Sequence, residues 1–245
     1  MRLDRFIGNH SEYTRTQIHR LIKSRCVRVN DILAKSPSVK IKTESDVITV
    51  DKHVIRDRGN VYLMLNKPVG YVSATVDADH PTVIDLIADN HNALTPTTFE
   101  HLPPIASLQV VGRLDIDTTG LILITNDGQW NHKVSAPNTK CQKRYRAELA
   151  QAIADDAKAR FAEGMQLKGE NKNTQAAELK ILSPNTAEVA ICEGKYHQVK
   201  RMFAATGNKV VALHRFAIGQ LELDNTLAPG QYRLLDEHET NLTLT

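Results

Sequence analysis

Two carboxylates stand close together in the stretch Gly112-Arg113-Leu114-Asp115-Ile116-Asp117-Thr118-Thr119-Gly120-Leu121. The flanking glycines read as a turn, and the apolar run 121–124 reads as a buried strand. A carboxylate pinned beside a core is costly unless it is paired or used. Held rigidly, an aspartate can serve as a nucleophile or as a general base. Calcium is a rival use, because Asp115-x-Asp117-x-Thr119-Gly120 imitates the start of a calcium loop. The twelfth position of that loop needs a bidentate glutamate and holds Asn126, and the flanks are loop and strand rather than helices. Calcium is therefore rejected.

The elements that must position this turn can be read along the chain. Strands are expected at 61–65, 121–125, 143–149, 186–191 and 210–213. Helices are expected at 82–88, 129–134, 155–163 with Gly164 as its stop, and 196–205 closed by Gly207. Strands are not regularly followed by helices, which predicts a mixed α+β body rather than a doubly wound sheet. Residues 90–108 carry little periodicity and predict a long loop.

The first 55 residues read as a separate unit. Leu3, Phe6 and Ile7 have helical spacing, and Thr14 caps a second helix with Ile18, Leu21 and Ile22 on its apolar face. Segments 26–29, 40–42 and 47–50 predict a small sheet, with Asn30-Asp31 as a turn. Residues 56–60 are a polar linker, and 61–245 form the body.

Charge separates the same two parts. Residues 1–60 carry 13 lysines and arginines against 7 acids, and the rest 18 against 21. A basic module on a near-neutral body points to nucleic acid. Arg15, His19, Arg20, Lys23, Arg25 and Arg28 form its basic flank and are the RNA-docking candidates. No apolar run approaches the roughly 20 residues that span a bilayer, and no apolar stretch follows Met1-Arg2-Leu3-Asp4-Arg5. A cytoplasmic protein with no membrane partner is expected. Cys26, Cys141 and Cys192 are far apart and form no C-x-x-C pair, so they predict neither a disulfide framework nor a zinc site.

Gly112-Arg113-Leu114-Asp115 followed by Thr119-Gly120-Leu121 resembles the signature of pseudouridine synthases, which isomerise uridine within RNA. Asn66-Lys67-Pro68-Val69-Gly70 is similar to the family's first motif. The segment from Glu193 to Phe203, containing Tyr196-His197-Gln198-Val199-Lys200-Arg201-Met202, is similar to its third. The N-terminal unit resembles an S4-like RNA-binding module. The full ten-residue stretch is closest to the RsuA branch of the RsuA/RluB type, which acts on small-subunit (16S) ribosomal RNA.

The resemblance implies site roles. Asp115 is the catalytic residue, as nucleophile or base. Tyr145 stacks on the target base, because a base flipped from its stack needs an aromatic face in place of its neighbours. Lys200 pairs with Asp115 and keeps it ionised. Arg113, Asn66, Lys67, Arg201, Leu213 and Ile218 are expected at the substrate: Arg113 and Lys67 toward RNA, Arg201 in a phosphate or structural role, Leu213 and Ile218 as apolar wall. Asp117 is read as a turn residue that holds the loop, and His197 as a hydrogen-bonding strut.

The reaction breaks an N-glycosidic bond and rejoins the base through carbon, without redox or hydrolysis. The resemblance therefore implies no cofactor and no metal, in a chain expected to act as a monomer on 16S RNA or its assembly intermediate. Two other readings stay open: a sibling acting on 23S ribosomal RNA, and a non-catalytic RNA-binding assembly factor.

Overall fold

In the computed structural model, residues 1–89, 103–136, 139 and 141–244 are described. Thr14 caps α2 (Arg15–Lys23) through a reciprocal capping box: its hydroxyl accepts the Gln17 N–H, and Gln17 Oε1 accepts the Thr14 N–H at 2.8 Å. α1 (Leu3–His10) and the inner face of α2 cover an antiparallel sheet in the order β2-β1-β3-β4. Its strands are β1 (Val27–Val29), β2 (Ile32–Leu33), β3 (Ile48–Val50) and β4 (His53–Ile55). Leu3, Phe6, Ile7, Ile18, Ile22, Val27, Ile48 and Val50 belong to a core that this unit keeps to itself. The β1–β2 hairpin turns at Asn30 and Asp31, both at positive φ (49° and 63°), a geometry these two residue types tolerate.

Residues 40–42 are not the strand expected. Lys40 forms only an isolated bridge with Arg2, while Ile41 is buried in the small core between exposed lysines. That burial on irregular backbone imitates a strand's alternation.

The segment 57–61 is fastened at both ends. The Arg58 N–H donates to His10 Nδ1 at 3.1 Å, Asn126 Nδ2 donates to the Gly59 carbonyl at 3.0 Å, and the Val61 N–H donates to Asn126 Oδ1 at 2.8 Å.

The body is one mixed, nine-stranded sheet. Its strands are β5 (Tyr62–Lys67), β6 (Gln109–Val111), β7 (Thr119–Thr125), β8 (Lys143–Leu149), β9 (Glu178–Ser183), β10 (Thr186–Ile191), β11 (Val210–Ile218), β12 (Leu221–Glu222) and β13 (Tyr232–Leu234). The main path runs β13-β5-β7-β11-β8-β10-β9, with β6 beside β7 and β12 beside β11. β7 and β11 pair in parallel at the centre, and the other pairs are antiparallel.

Helices α3 (Val83–Asp89), α4 (Gly128–Ser135), α5 (Ala157–Glu163), α6 (Gln198–Ala205) and α7 (Glu237–Leu242) flank the sheet. β6, β9, β12, β13 and α7 carry too little periodic signal to be anticipated. β11 runs five residues further than expected, through Arg215. Most of the predicted 90–108 loop lies outside the described residues; its last part holds a 3-10 turn, Ile105–Ser107.

β7 is apolar from Leu121 to Ile124 because both of its faces are covered there. Ile122 and Ile124 pack with Val83 and Ile87 of α3, Phe161 of α5 and Phe203 of α6. Leu121 and Leu123 pack on the other side with Trp130 and Val134 of α4. Each such side chain contributes about 1.5–3 kcal/mol on burial, so the turn entering β7 is rigidly anchored.

Gly120 sets the approach of β11 to this strand. Its φ is +102°, and a Cβ there would collide with the Arg215 carbonyl and the His214 ring. Gly120→Ala is expected to cost about 3 kcal/mol or more, read as a lowered urea midpoint. An unchanged midpoint would contradict this account of the crossing.

Candidate active site

The turn 113–119 is held from two sides. On one side, Lys67 at the end of β5 is fully buried, and its ammonium donates to the carbonyls of Pro68 (3.0 Å), Ile116 (3.3 Å) and Thr118 (2.8 Å). Burial pushes its pKa from 10.5 down to about 8, while Asp117 and Asp115 pull the other way. Ser73 both accepts the Leu114 N–H and donates to the Leu114 carbonyl, and the Gly70 N–H reaches the Ile116 carbonyl at 2.9 Å. On the other side, Arg215 of β11 donates to the carbonyls of Leu121 (2.8 Å) and Arg113 (3.4 Å). The turn is thus clamped at nearly every carbonyl.

This geometry corrects two expectations. Lys67 does not face RNA, because its three protons are consumed inside the protein. Asn66 does not face the cleft either: its Nδ2 donates to the Leu227 carbonyl at 2.8 Å, tying β5 to the turn before β13.

The carboxylates and the ammonium do meet. Lys200 Nζ lies 3.0 Å from Asp115 Oδ2 and 2.5 Å from Asp117 Oδ1. Asp117 is therefore more than a turn residue: the two acids share one cation. Partial burial disfavours the Lys200 ammonium, but the hydrogen bonds of Asp117 and Asp115 outweigh it and raise its pKa. Burial likewise works against the Asp117 carboxylate, and Lys200 outweighs it and lowers its pKa.

α6 begins at Gln198, two residues later than expected, because His197 sits in the left-handed region (φ 47°). That conformation brings His197 Nε2 to 3.4 Å from Asp115 Oδ1, with its ring stacked on exposed Tyr196 at 3.8 Å. Arg201 takes the structural half of its expected role. Its guanidinium pairs with Glu170 at 3.0 Å and donates to the carbonyls of Tyr196 and Lys168.

A cleft of about 760 Å³ opens over this group, lined by Arg113, Asp115, Asp117, Tyr145, Leu213 and Arg215 among others. Tyr145 sits on β8 directly opposite Arg215. It is 8% exposed, in the cleft wall. Leu213 lines the same wall. Ile218 does not: it belongs to the apolar cluster on the other face of the sheet, with Trp130 and Leu221. Arg113 is exposed at the rim, and its side chain has no hydrogen bond or ion pair among the described residues.

Arg215 is the residue that sequence reasoning missed. The available signal was its period-two spacing from Leu213, which places both on one face of a strand.

On the N-terminal unit, Arg15, His19, Arg20, Lys23, Arg25 and Arg28 are all exposed. His19 lies 3.7 Å from Asp4, and Arg28 donates to the Asp31 carbonyl. Arg15, Arg20, Lys23 and Arg25 have no side-chain partner among the described residues.

Fold and site together define a two-part protein: a small basic module, and a mixed sheet whose centre presents a paired aspartate in a cleft that a tyrosine also lines. The family model described as RNA pseudouridylate synthase matches residues 61–205, and the S4 domain model matches residues 1–48. The chain belongs to the RNA pseudouridylate synthase family. It is 43% identical over 239 residues to "Ribosomal small subunit pseudouridine synthase A" of Salmonella typhimurium, covering 98% of each chain. The protein of the same name from Escherichia coli K12 is 43% identical over 240 residues, again covering 98% of each. A solved structure titled "Crystal structure of pseudouridylate synthase" superposes with a TM-score of 0.68 at 40% identity, covering both chains fully. Among the described residues, no helix is long and apolar enough to cross a membrane.

Proposed function

We propose that this protein converts one uridine of 16S ribosomal RNA to pseudouridine, with Asp115 as nucleophile or base, Tyr145 against the flipped base and Lys200 as the counter-charge of Asp115. The observation that supports the chemistry is the 3.0 Å pairing of Lys200 with Asp115, in a cleft whose wall also holds Tyr145. Near full-length similarity to small-subunit enzymes supports the choice of RNA. Arg15, Arg20, Lys23 and Arg25, unpartnered among the described residues, supply a phosphate-binding face on the N-terminal module, and Arg113 a second contact at the rim. A pure RNA binder has no use for two carboxylates facing the phosphates.

Carbodiimide-primer-extension mapping of ribosomal RNA, from cells with and without the protein, tests the reading. One stop in 16S RNA should disappear on deletion and return on complementation. A stop lost from 23S RNA would move the assignment to the sibling activity. An unchanged map would reject both.

A further inference from the structure

The cleft holds more positive charge than its carboxylates use. Asp115 and Asp117 share Lys200. Arg215 has no ion-pair partner among the described residues, although it is only 2% exposed. Its Nε and Nη1 are spent on the Leu121 and Arg113 carbonyls, and Nη1 also lies 3.5 Å from the Tyr145 hydroxyl. Its Nη2 is buried with no acceptor among the described residues. Such a donor is costly to maintain unless a ligand completes it. Lys143, on the same strand as Tyr145, also lines the cleft and has no hydrogen bond or ion pair among the described residues. Burial, with Arg215 adding to it and Cys141 opposing, pushes its pKa down.

Given that Asp115 acts on a uridine, we infer that Arg215 and Lys143 form an electrostatic floor that takes up the negative charge developing on the uracil as it leaves the sugar. In the reaction, the C1′–N1 bond breaks and its electron pair departs on the base, delocalised over the two carbonyl oxygens. This holds whether the Asp115 carboxylate meets C1′ or removes a sugar proton. C5 then bonds to C1′ as the Asp115 carboxylate either leaves C1′ or returns the proton it took from the sugar; the C5 proton leaves and N1 gains a proton, so the overall change is an isomerisation. A fixed cationic donor in a water-poor site stabilises such charge without reorganising.

The position favours the base over a phosphate. The Arg215 guanidinium stands 5.9 Å from the Tyr145 ring centroid, beside the face proposed to meet the base. The exposed Arg113 and the basic module are the groups placed for phosphates.

The test is single-turnover conversion of a 16S RNA transcript at saturating enzyme, with RNA affinity and thermal melting measured alongside. The variants are Arg215→Met, Arg215→Lys, Lys143→Met and Lys143→Arg. Each Met variant should lose about 10²-fold in rate while binding RNA as the parent does. The charge-retaining variants should recover most of that loss, which a purely structural role would not predict. Lys143→Met should melt like the parent, because Lys143 is tied to no protein partner among the described residues. It keeps the test decisive if Arg215→Met, which strips two loop carbonyls, folds poorly. Lys143→Met turning over at the parental rate, or losing affinity instead of rate, would overturn the floor. A parent protein that leaves uridine unchanged would instead sink the activity on which the floor rests.

Discussion

Asp115→Asn should abolish pseudouridine formation, by about 10⁴-fold or more, equivalent to roughly 5 kcal/mol of barrier. Asparagine keeps the shape of the side chain but is neither a carboxylate nucleophile nor a base. The site should survive the change. Lys200 retains Asp117 as partner, and the turn retains its backbone bond from the Thr118 N–H to the residue-115 carbonyl at 3.0 Å. The Lys67, Ser73 and Arg215 clamps act on other residues of the turn. RNA affinity should be unchanged or slightly stronger, because one negative charge facing the phosphates is removed. Assays of tritium release and of filter binding on the same preparation check both halves. Turnover near the parental rate would sink the assignment of Asp115, and a parallel loss of binding would mean that the turn had collapsed.

Lys200→Met carries the second-largest expected effect. It removes the charge-assisted contact to partly buried Asp115, worth about 1.5–3 kcal/mol, and a weaker, solvent-screened one to exposed Asp117, and leaves the two carboxylates without their shared cation. A loss of about 10²-fold or more at saturating RNA is expected. Lys200→Arg, which keeps the charge and presents a fork to the two acids, should recover to within about tenfold.

The pH dependence follows from the directions of the shifts. Lys200 is raised on folding, so its contribution to stability is complete below 10.5 and fades only as pH rises through its higher folded value. Asp117 is lowered, so its contribution is complete above 3.8 and fades as pH falls through its lower folded value. The parent should therefore keep this pair intact between those limits, and urea midpoints of parent and Lys200→Met should differ by a constant amount across neutral pH. A difference that varies steeply between pH 6 and 8 would contradict the pairing.

How legible a residue was depended on what fixes its role. Asp115 and Lys200 stand in distinctive local patterns, so their pairing at 3.0 Å could be expected before any coordinates. Thr14, Asn30 and Asp31 were legible because capping and tight turns are local physics. Lys67 and Asn66 were not: both lie in a motif that resembles an RNA contact, yet both bond to carbonyls far along the chain. Asp117 looked like a loop residue because its partner is 83 residues away. Ile218 was expected beside Leu213 in the cleft wall but ends on the opposite face of the sheet. The helix of the third motif starts two residues later than its periodicity predicts, because nothing local announces the left-handed turn at His197.

By itself, the sequence determined the family, the two-part organisation, the basic character of the N-terminal module and which three residues to propose for the chemistry. These are properties of residue type and short spacing. Tertiary structure alone decided that one lysine serves two aspartates, that Lys67 is an internal clamp, and that Arg215 and Lys143 lie beneath the cleft. Those outcomes depend on β7, β11 and β8 lying side by side, with Gly120 opposite Arg215 and Arg215 opposite Tyr145. Pairing of strands distant in sequence fixes which side chains share a buried volume. Burial then decides whether a charge is solvated, paired or left waiting for a substrate.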